Sequence, residues 1–265
     1  MTTISKEKTA EKISEELLEK EIEKELVAET REQRIEREKE EEKERSILTW
    51  VPKTKLGKEV KEKKIKNIDE ILSSGRKILE EQIVDSLLNL KSDLLSIGQS
   101  KGKFGGGKRR AWKQTQRKTK QKNVPTFSTM AVVGDENEHI GVSMGSAKET
   151  LPARDKAIRK AKLNITKIVR GCASFDCACS EPHTVPFKVE GKSGSVRVIL
   201  IPAPQGTGLV VANELKKILK LAGIRDIYSK TFGYQRTTFN LVQACMDALK
   251  KTRTEVPDTS YKSKW

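Results

Sequence analysis

The sequence predicts an α+β protein. A long charged helix leads into a helix, a basic β-segment, two hairpin strands and a helix. A closing α/β sandwich follows, ordered strand–strand–helix–strand–helix. Three observations predict this. Residues 5–46 alternate Glu with Lys and Arg and contain neither Pro nor Gly. Apolar spacings of three and four before Gly98 give way, after Pro125, to short runs of strand length bounded by turn residues. Beyond His183, Gly- and Pro-bearing loops separate a second set of strand-length and helix-length runs.

Charge divides the chain. Of 265 residues 53 are Lys or Arg and 37 are Asp or Glu, a net of +16. Residues 1–46 carry −5 and the remainder +21, an acidic head on a basic body. Such a body suits an anionic partner, and the head stays clear of it. No stretch approaches eighteen apolar residues, and the N-terminal residues form no apolar signal core. The expectation is a cytoplasmic chain that is neither membrane-spanning nor secreted, with its four cysteines as thiols or metal ligands.

Within 5–46, Ile13, Leu17, Leu18, Ile22, Leu26 and Val27 form a thin helical stripe. The segment reads as a partner-binding arm or as a solubilising extension. Leu48 to Val60, with Trp50 and Pro52, reads as an extended anchor turning at Gly57. Asn67 can cap a short helix through Leu72, since Asp69 and Glu70 suit its first turn. Ile83, Leu87, Leu90, Leu94 and Ile97 predict an amphipathic helix over 80–97, stopped by Gly98.

Phe127–Val133 and Ile140–Met144 read as hairpin strands around the turn residues 134–138. A helix over about 150–169 follows, with Pro152 in its first turn and a small-residue face built on Ala153, Ala157 and Ala161. In the last part, Val185–Val189 and Val196–Ile201 are predicted strands around a Gly191–Gly194 turn. A helix with Leu215, Ile218, Leu219 and Leu221 inward stops at Gly223. A strand spans 226–231, and Thr237 or Thr238 caps a last helix carrying Cys245 on its apolar side. The expected division is an extension (1–46), an anchor (47–79), an RNA-binding domain (80–170) with a basic loop (101–122), a Cys/His linker (171–184), an α/β domain (185–252) and a basic tail (253–265).

The basic loop is the sharpest functional signal. Lys101, Lys103, Lys108, Arg109, Arg110, Lys113, Arg117, Lys118, Lys120 and Lys122 fall within twenty-two residues that hold no Asp or Glu. Such cations repel each other in water and become favourable on a polyanion, whose condensed counterions they release. Phe104 and Trp112 offer faces for base stacking, and four glycines keep the run pliant. A disordered basic linker or localisation signal is the plainer reading. Arg154, Lys156, Arg159 and Lys160 on the following helix extend the nucleic-acid surface.

Cys172, Cys177, Cys179 and His183 form C-x4-C-x-C-x3-H, a donor set that suits tetrahedral zinc. Asp176 and Glu181 beside them should raise the thiol pKa values, and three metal-free loop thiols are the competing reading. No cofactor is otherwise required. No residue that would orient His183 is evident, which argues against a Cys–His nucleophile. Gly206-Thr207-Gly208 before a helix resembles a phosphate-cradling turn, so a small-molecule kinase is a second reading. No G-x-x-x-x-G-K-[ST] accompanies it. A free double-stranded-RNA-binding regulator is a third.

Several stretches read together: Trp50-Val51-Pro52-Lys53-Thr54-Lys55-Leu56-Gly57, Ala131 to Asp135, Gly141 to Glu149 and Arg159 to Asn164. Pro182-His183-Thr184-Val185-Pro186, Gly191 to Val196 and Pro202 to Gly208 complete them. In this order, over about 48–251, the chain resembles the ribosomal small-subunit protein S-five family. The Trp-Pro anchor, the Pro-His run and the cysteine cluster resemble its archaeal branch. Eukaryotic relatives share the first two and usually lack the third.

The resemblance implies an N-terminal domain like a double-stranded-RNA-binding domain and a C-terminal domain of the type shared with small-molecule kinases, without kinase activity. It implies a non-enzymatic constituent of the small subunit, bound to rRNA near the decoding region and mRNA entry channel. Its neighbours would be S-four, S-three and S-two, and its roles subunit assembly and decoding accuracy. On this chain the family's rRNA-reaching hairpin would carry Lys113, Arg117, Lys118, Lys120 and Lys122. Residues 101–112 look like extra length, and 1–46 fall outside the match.

Overall fold

A computed structural model describes residues 37, 45, 47–99, 109–174, 176, 177, 179 and 181–253. The charged helix expected over 5–46 lies outside these residues, apart from Arg37 and Arg45, and so do Lys101–Lys108 and most of the basic tail. The chain divides into two units, 1–51 and 52–265. In the first, a helical turn at 47–49 ends where the Trp50 N–H donates to the Ile47 carbonyl.

The second unit opens with three short helices, α1 (Lys55–Lys61), α2 (Ile68–Ser73) and α3 (Glu81–Leu87). Gly57 is not the turn of an extended anchor but lies buried inside α1. The Thr54 hydroxyl caps that helix by accepting from the Gly57 N–H at 3.0 Å. The Glu80 carboxylate takes the Lys53 and Thr54 N–H groups at 2.9 and 2.6 Å. Asn67 does precede α2, but its side chain makes no capping bond.

The helix expected over 80–97 ends at Leu88, which turns to extended backbone (φ −130°, ψ 141°). Lys91–Leu94 then forms β1. The pattern of threes and fours reflected burial of Ile83 and Leu90, but Leu95, not Leu94, is the fully buried residue beyond them. Pairing with an open strand edge outweighs the helical stripe here.

That edge belongs to β3 (Asn123–Gly134), the longest strand. β2 (Trp112–Lys118) pairs with its first half and β1 with its last four residues, all antiparallel. At the join, the Leu95 N–H donates to the Met130 carbonyl at 2.9 Å. β4 (His139–Ala147) takes the other edge and β5 (Ile165–Lys167) closes the sheet. The helix expected to run to 169 is α4 (Thr150–Leu163). It stops at Asn164 because Ile165 and Thr166 pair with β4 instead. Its Ala face sits on bare strand. A Cβ at Gly145 would meet the Ala153 carbonyl and the Ala157 nitrogen at 2.5 Å, and one at Gly141 the Ala161 carbonyl at 2.2 Å.

The second sheet is β6 (Val189–Ser193), β7 (Val196–Pro202), β9 (Ile227–Phe232) and β8 (Leu209–Val210), in that spatial order. The two-residue β8, unseen in the sequence pattern, is parallel to β9. Residues 185–188 are not strand, and the β6–β7 turn sits at Gly194-Ser195. Gly191 lies within β6 under the last helix, α6 (Thr238–Lys251), where a Cβ would meet the Ala244 carbonyl at 2.0 Å. α5 (Asn213–Leu221) packs with Leu215, Ile218 and Leu219 fully buried. Thr237 precedes α6 without a side-chain cap, its hydroxyl bonding the Tyr234 carbonyl instead.

One continuous core joins both sheets, from Leu95, Met130 and Ile140 to Val198, Leu219 and Leu249. The β3–β4 turn seals the join: the Glu136 N–H donates to the Leu221 carbonyl at 3.0 Å. Gly223, at φ +77°, passes so close that a Cβ would meet the Glu136 carbonyl at 2.1 Å.

Candidate nucleic-acid interface and Cys/His centre

Sequence alternation and register build the basic surface. Every residue of β2 is exposed, while the inner half of β3 is buried. Only Phe127 onward in β3 has a β4 partner, so the pairs from Thr115↔Thr126 to Lys118↔Asn123 form a two-stranded ribbon beyond the sheet. Four such pairs span roughly 10–13 Å. Pro125 is tolerated there because only one side of β3 is paired. At the tip, the Thr119 N–H donates to the Lys122 carbonyl at 3.1 Å and the Lys122 N–H to the Thr119 hydroxyl at 3.2 Å.

Arg109, Arg110, Lys113, Arg117, Lys118, Lys120 and Lys122 are all exposed along this ribbon and its approach. Arg154, Lys156, Arg159 and Lys160 are exposed on α4, whose buried face is Ala153, Ala157 and Ala161. One row connects the two groups. Lys113 pairs with Ser128, Ser128 with Ser146, and the Lys156 ammonium donates to the Ser146 carbonyl at 3.4 Å. Arg159 is partly engaged by Glu81 at 3.7 Å.

The linker brings Cys172, Cys177, Cys179 and His183 together, their donor atoms all within 4.8 Å of one another. The Cys177 and Cys179 sulfurs lie 3.0 Å apart, Cys172 and Cys179 3.4 Å, and Cys177 and His183 Nε2 3.5 Å. The thiols tune each other more than their acidic neighbours do. The Cys179 thiol bonded to Cys177 holds the latter down to about 6, and the same contact pushes Cys179 up to about 12. The expected upward shift therefore fails at Cys177. Cys245 is fully buried, and burial pushes its thiol up to about 12.

The sequence reading missed Asp226. Its Oδ2 lies 2.9 Å from His183 Nδ1, yet that buried ring nitrogen completes no well-aligned hydrogen bond. No local motif marks Asp226; its partner lies on the far side of a β-hairpin and a helix. Asp226 also answers the kinase reading. Its Oδ1 accepts the Gly208 N–H at 2.7 Å, and β8 separates that loop from α5. The Gly206–Gly208 turn thus opens no helix N-terminus.

Among the described residues no helix is long and apolar enough to cross a membrane. Comparison with known proteins agrees with the resemblance read from the motifs. The family profile "Ribosomal protein S5, N-terminal domain" matches residues 110–169, and "Ribosomal protein S5, C-terminal domain" matches 191–259. A protein of Nanoarchaeum equitans named small ribosomal subunit protein uS5 is 51% identical over 207 residues, covering 78% of this chain and 89% of its own length. Relatives of the same name from Thermofilum pendens and Staphylothermus marinus are 45% and 44% identical, each covering 77% of this chain and 94% and 89% of their own. Identity at this level across both sheets makes the chain a member of the uS5 ribosomal protein family, of the archaeal type.

Proposed function

We propose that this chain is a structural, non-enzymatic constituent of the small ribosomal subunit that binds rRNA through the β2–β3 ribbon and the outer face of α4. Membership of the uS5 family supports the role, and the projecting ribbon, with every residue of β2 exposed, is the observation that carries the binding mode. Its contacts would be Arg109, Arg110, Lys113, Arg117, Lys118, Lys120 and Lys122, with Arg154, Lys156, Arg159 and Lys160 beside them. Lys101, Lys103 and Lys108 would add to these from outside the described residues. Cations on a narrow ribbon neutralise phosphates on either side of it, and the packed sheets behind hold it in place.

In this reading the first sheet and α4 act as a double-stranded-RNA-binding-like domain within 80–170, and 185–252 is the second domain. The position is near the decoding region and mRNA entry channel, with S-four, S-three and S-two as neighbours and decoding accuracy among the consequences. The acidic residues 1–46 form a charged helical extension kept off the RNA. The Cys/His centre holds a structural zinc: three thiolates and an imidazole are a preferred donor set, and their donor atoms already lie within 4.8 Å of one another.

Gradient sedimentation tests the role. The wild-type chain should travel with small subunits at moderate salt. A variant with Lys113, Arg117, Lys118, Lys120 and Lys122 all changed to Gln should shift toward the top. A wild-type chain found mainly at the top would instead mark a free RNA-binding regulator.

A further inference from the structure

We infer that the Cys/His centre is a five-residue unit in which Asp226 positions His183 for a thiophilic divalent ion, zinc above all, and fastens that ion to the second sheet. The inference rests on the zinc reading above and adds to it a residue outside the cysteine motif.

An imidazole that ligates through Nε2 must be neutral and carry its proton on Nδ1. In this chain Nε2 is the nitrogen facing the thiols, 3.5 Å from Cys177, and Nδ1 faces Asp226 at 2.9 Å. The Asp226 oxygen is the acceptor that this tautomer requires, and a small turn of the ring on ligation would align the Nδ1–H with it. It is itself fixed: Asp226 is 4% exposed, and its second oxygen holds the Gly208 N–H at 2.7 Å. Backbone bonds brace the pair, since the Arg225 and Asp226 N–H groups both donate to the His183 carbonyl, at 2.9 and 3.2 Å.

The ligands also share one enclosure. Gly171 and Thr184 exchange both backbone hydrogen bonds, at 2.9 and 3.0 Å, and all four ligands lie between them. A metal would close this loop a second time. Through His183 and Asp226 that closure reaches the start of β9 and the Gly206–Gly208 turn.

The test uses the full chain and zinc alone, with affinity read by competition against a chromophoric chelator. The wild type should bind one zinc; binding none overturns the zinc reading itself. Asp226→Asn should weaken zinc binding by about 10–100-fold. If the new amide oxygen keeps the Gly208 bond, its NH₂ turns to Nδ1 and favours the wrong tautomer. An unchanged affinity in a variant that folds would overturn the positioning role while leaving the zinc in place. Should the variant fail to fold, nitrogen NMR of zinc-loaded wild type decides. A protonated Nδ1 and a metal-bound Nε2 on His183 support the unit, and the reverse assignment overturns it.

Discussion

His139 Nε2 lies 2.9 Å from an Asp69 oxygen, joining α2 to the first strand after the central hairpin turn. The other ring nitrogen meets Asp135 at 2.8 Å, so one imidazole is clamped between two carboxylates, with Lys167 on the far oxygen of Asp69 at 2.6 Å. Burial alone would lower the His139 pKa, but its bonds to Asp135 and Asp69 outweigh burial and raise it. Burial alone would raise Asp135, yet His139 and the backbone N–H groups of His139 and Asn137 hold it down to about 2. Asp69 is lowered too, because its bonds to Lys167 and His139 outweigh its burial.

The signs give a pH window. A raised histidine stabilises fully below its unfolded pKa, about 6.5, and that contribution is lost as pH rises through the folded value. The lowered carboxylates stabilise above their unfolded pKa of about 4 and lose that contribution as pH falls toward 2. Thermal melts should therefore peak between about pH 4 and 6.5 in this term. His139→Gln should flatten the decline above pH 6.5; an unchanged alkaline arm would show that the clamp contributes nothing.

Gly145 and Gly191 each lie where helix backbone rests on strand backbone. Adding one methyl at either must push α4 or α6 off its sheet. Gly145→Ala and Gly191→Ala should each destabilise by about 1–3 kcal/mol, read as a lower urea midpoint. Gly206→Ala is the contrast: its Cβ meets nothing within 4 Å, so only its φ of +88° counts against it.

Lys118, Lys120 and Lys122 crowd the ribbon tip and are exposed. If each meets one phosphate, changing all three to Gln should reduce the slope of log affinity against log salt by about 2–3. The melting temperature should stay unchanged. An equal slope in the variant would place the phosphate contacts elsewhere.

Cys245 has no exposure and an elevated pKa, whereas the three linker thiols are half-buried. A disulfide reagent should reach the linker thiols of the chelator-treated native chain, Cys177 first, and fully buried Cys245 only on unfolding. Zinc should then protect the linker thiols.

Legibility followed locality. The β3–β4 hairpin, the inward residues of α5 and α6 and the Ala face of α4 were readable because each is a periodic pattern within one segment. β1 was not: Lys91-Ser92-Asp93-Leu94 has little strand character and is extended only because β3 offers an edge at Ala131–Gly134. Gly191 looked like a turn residue because the helix it accommodates begins at Thr238. The clustering of Cys172, Cys177, Cys179 and His183 was legible from spacing alone, since they fall within twelve residues. Asp226 and the Asp69–His139 contact were not, because nothing in a sequence announces a meeting across 43 or 70 positions.

β3 runs unbroken for twelve residues, from the free ribbon into wholly buried backbone. The ribbon is therefore a cantilever with its root clamped, not an arm on a hinge. Torque applied at Lys120 has no soft joint to absorb it and must turn the strand that carries Met130 and Val132. Seating the tip would fix the attitude of both sheets at once.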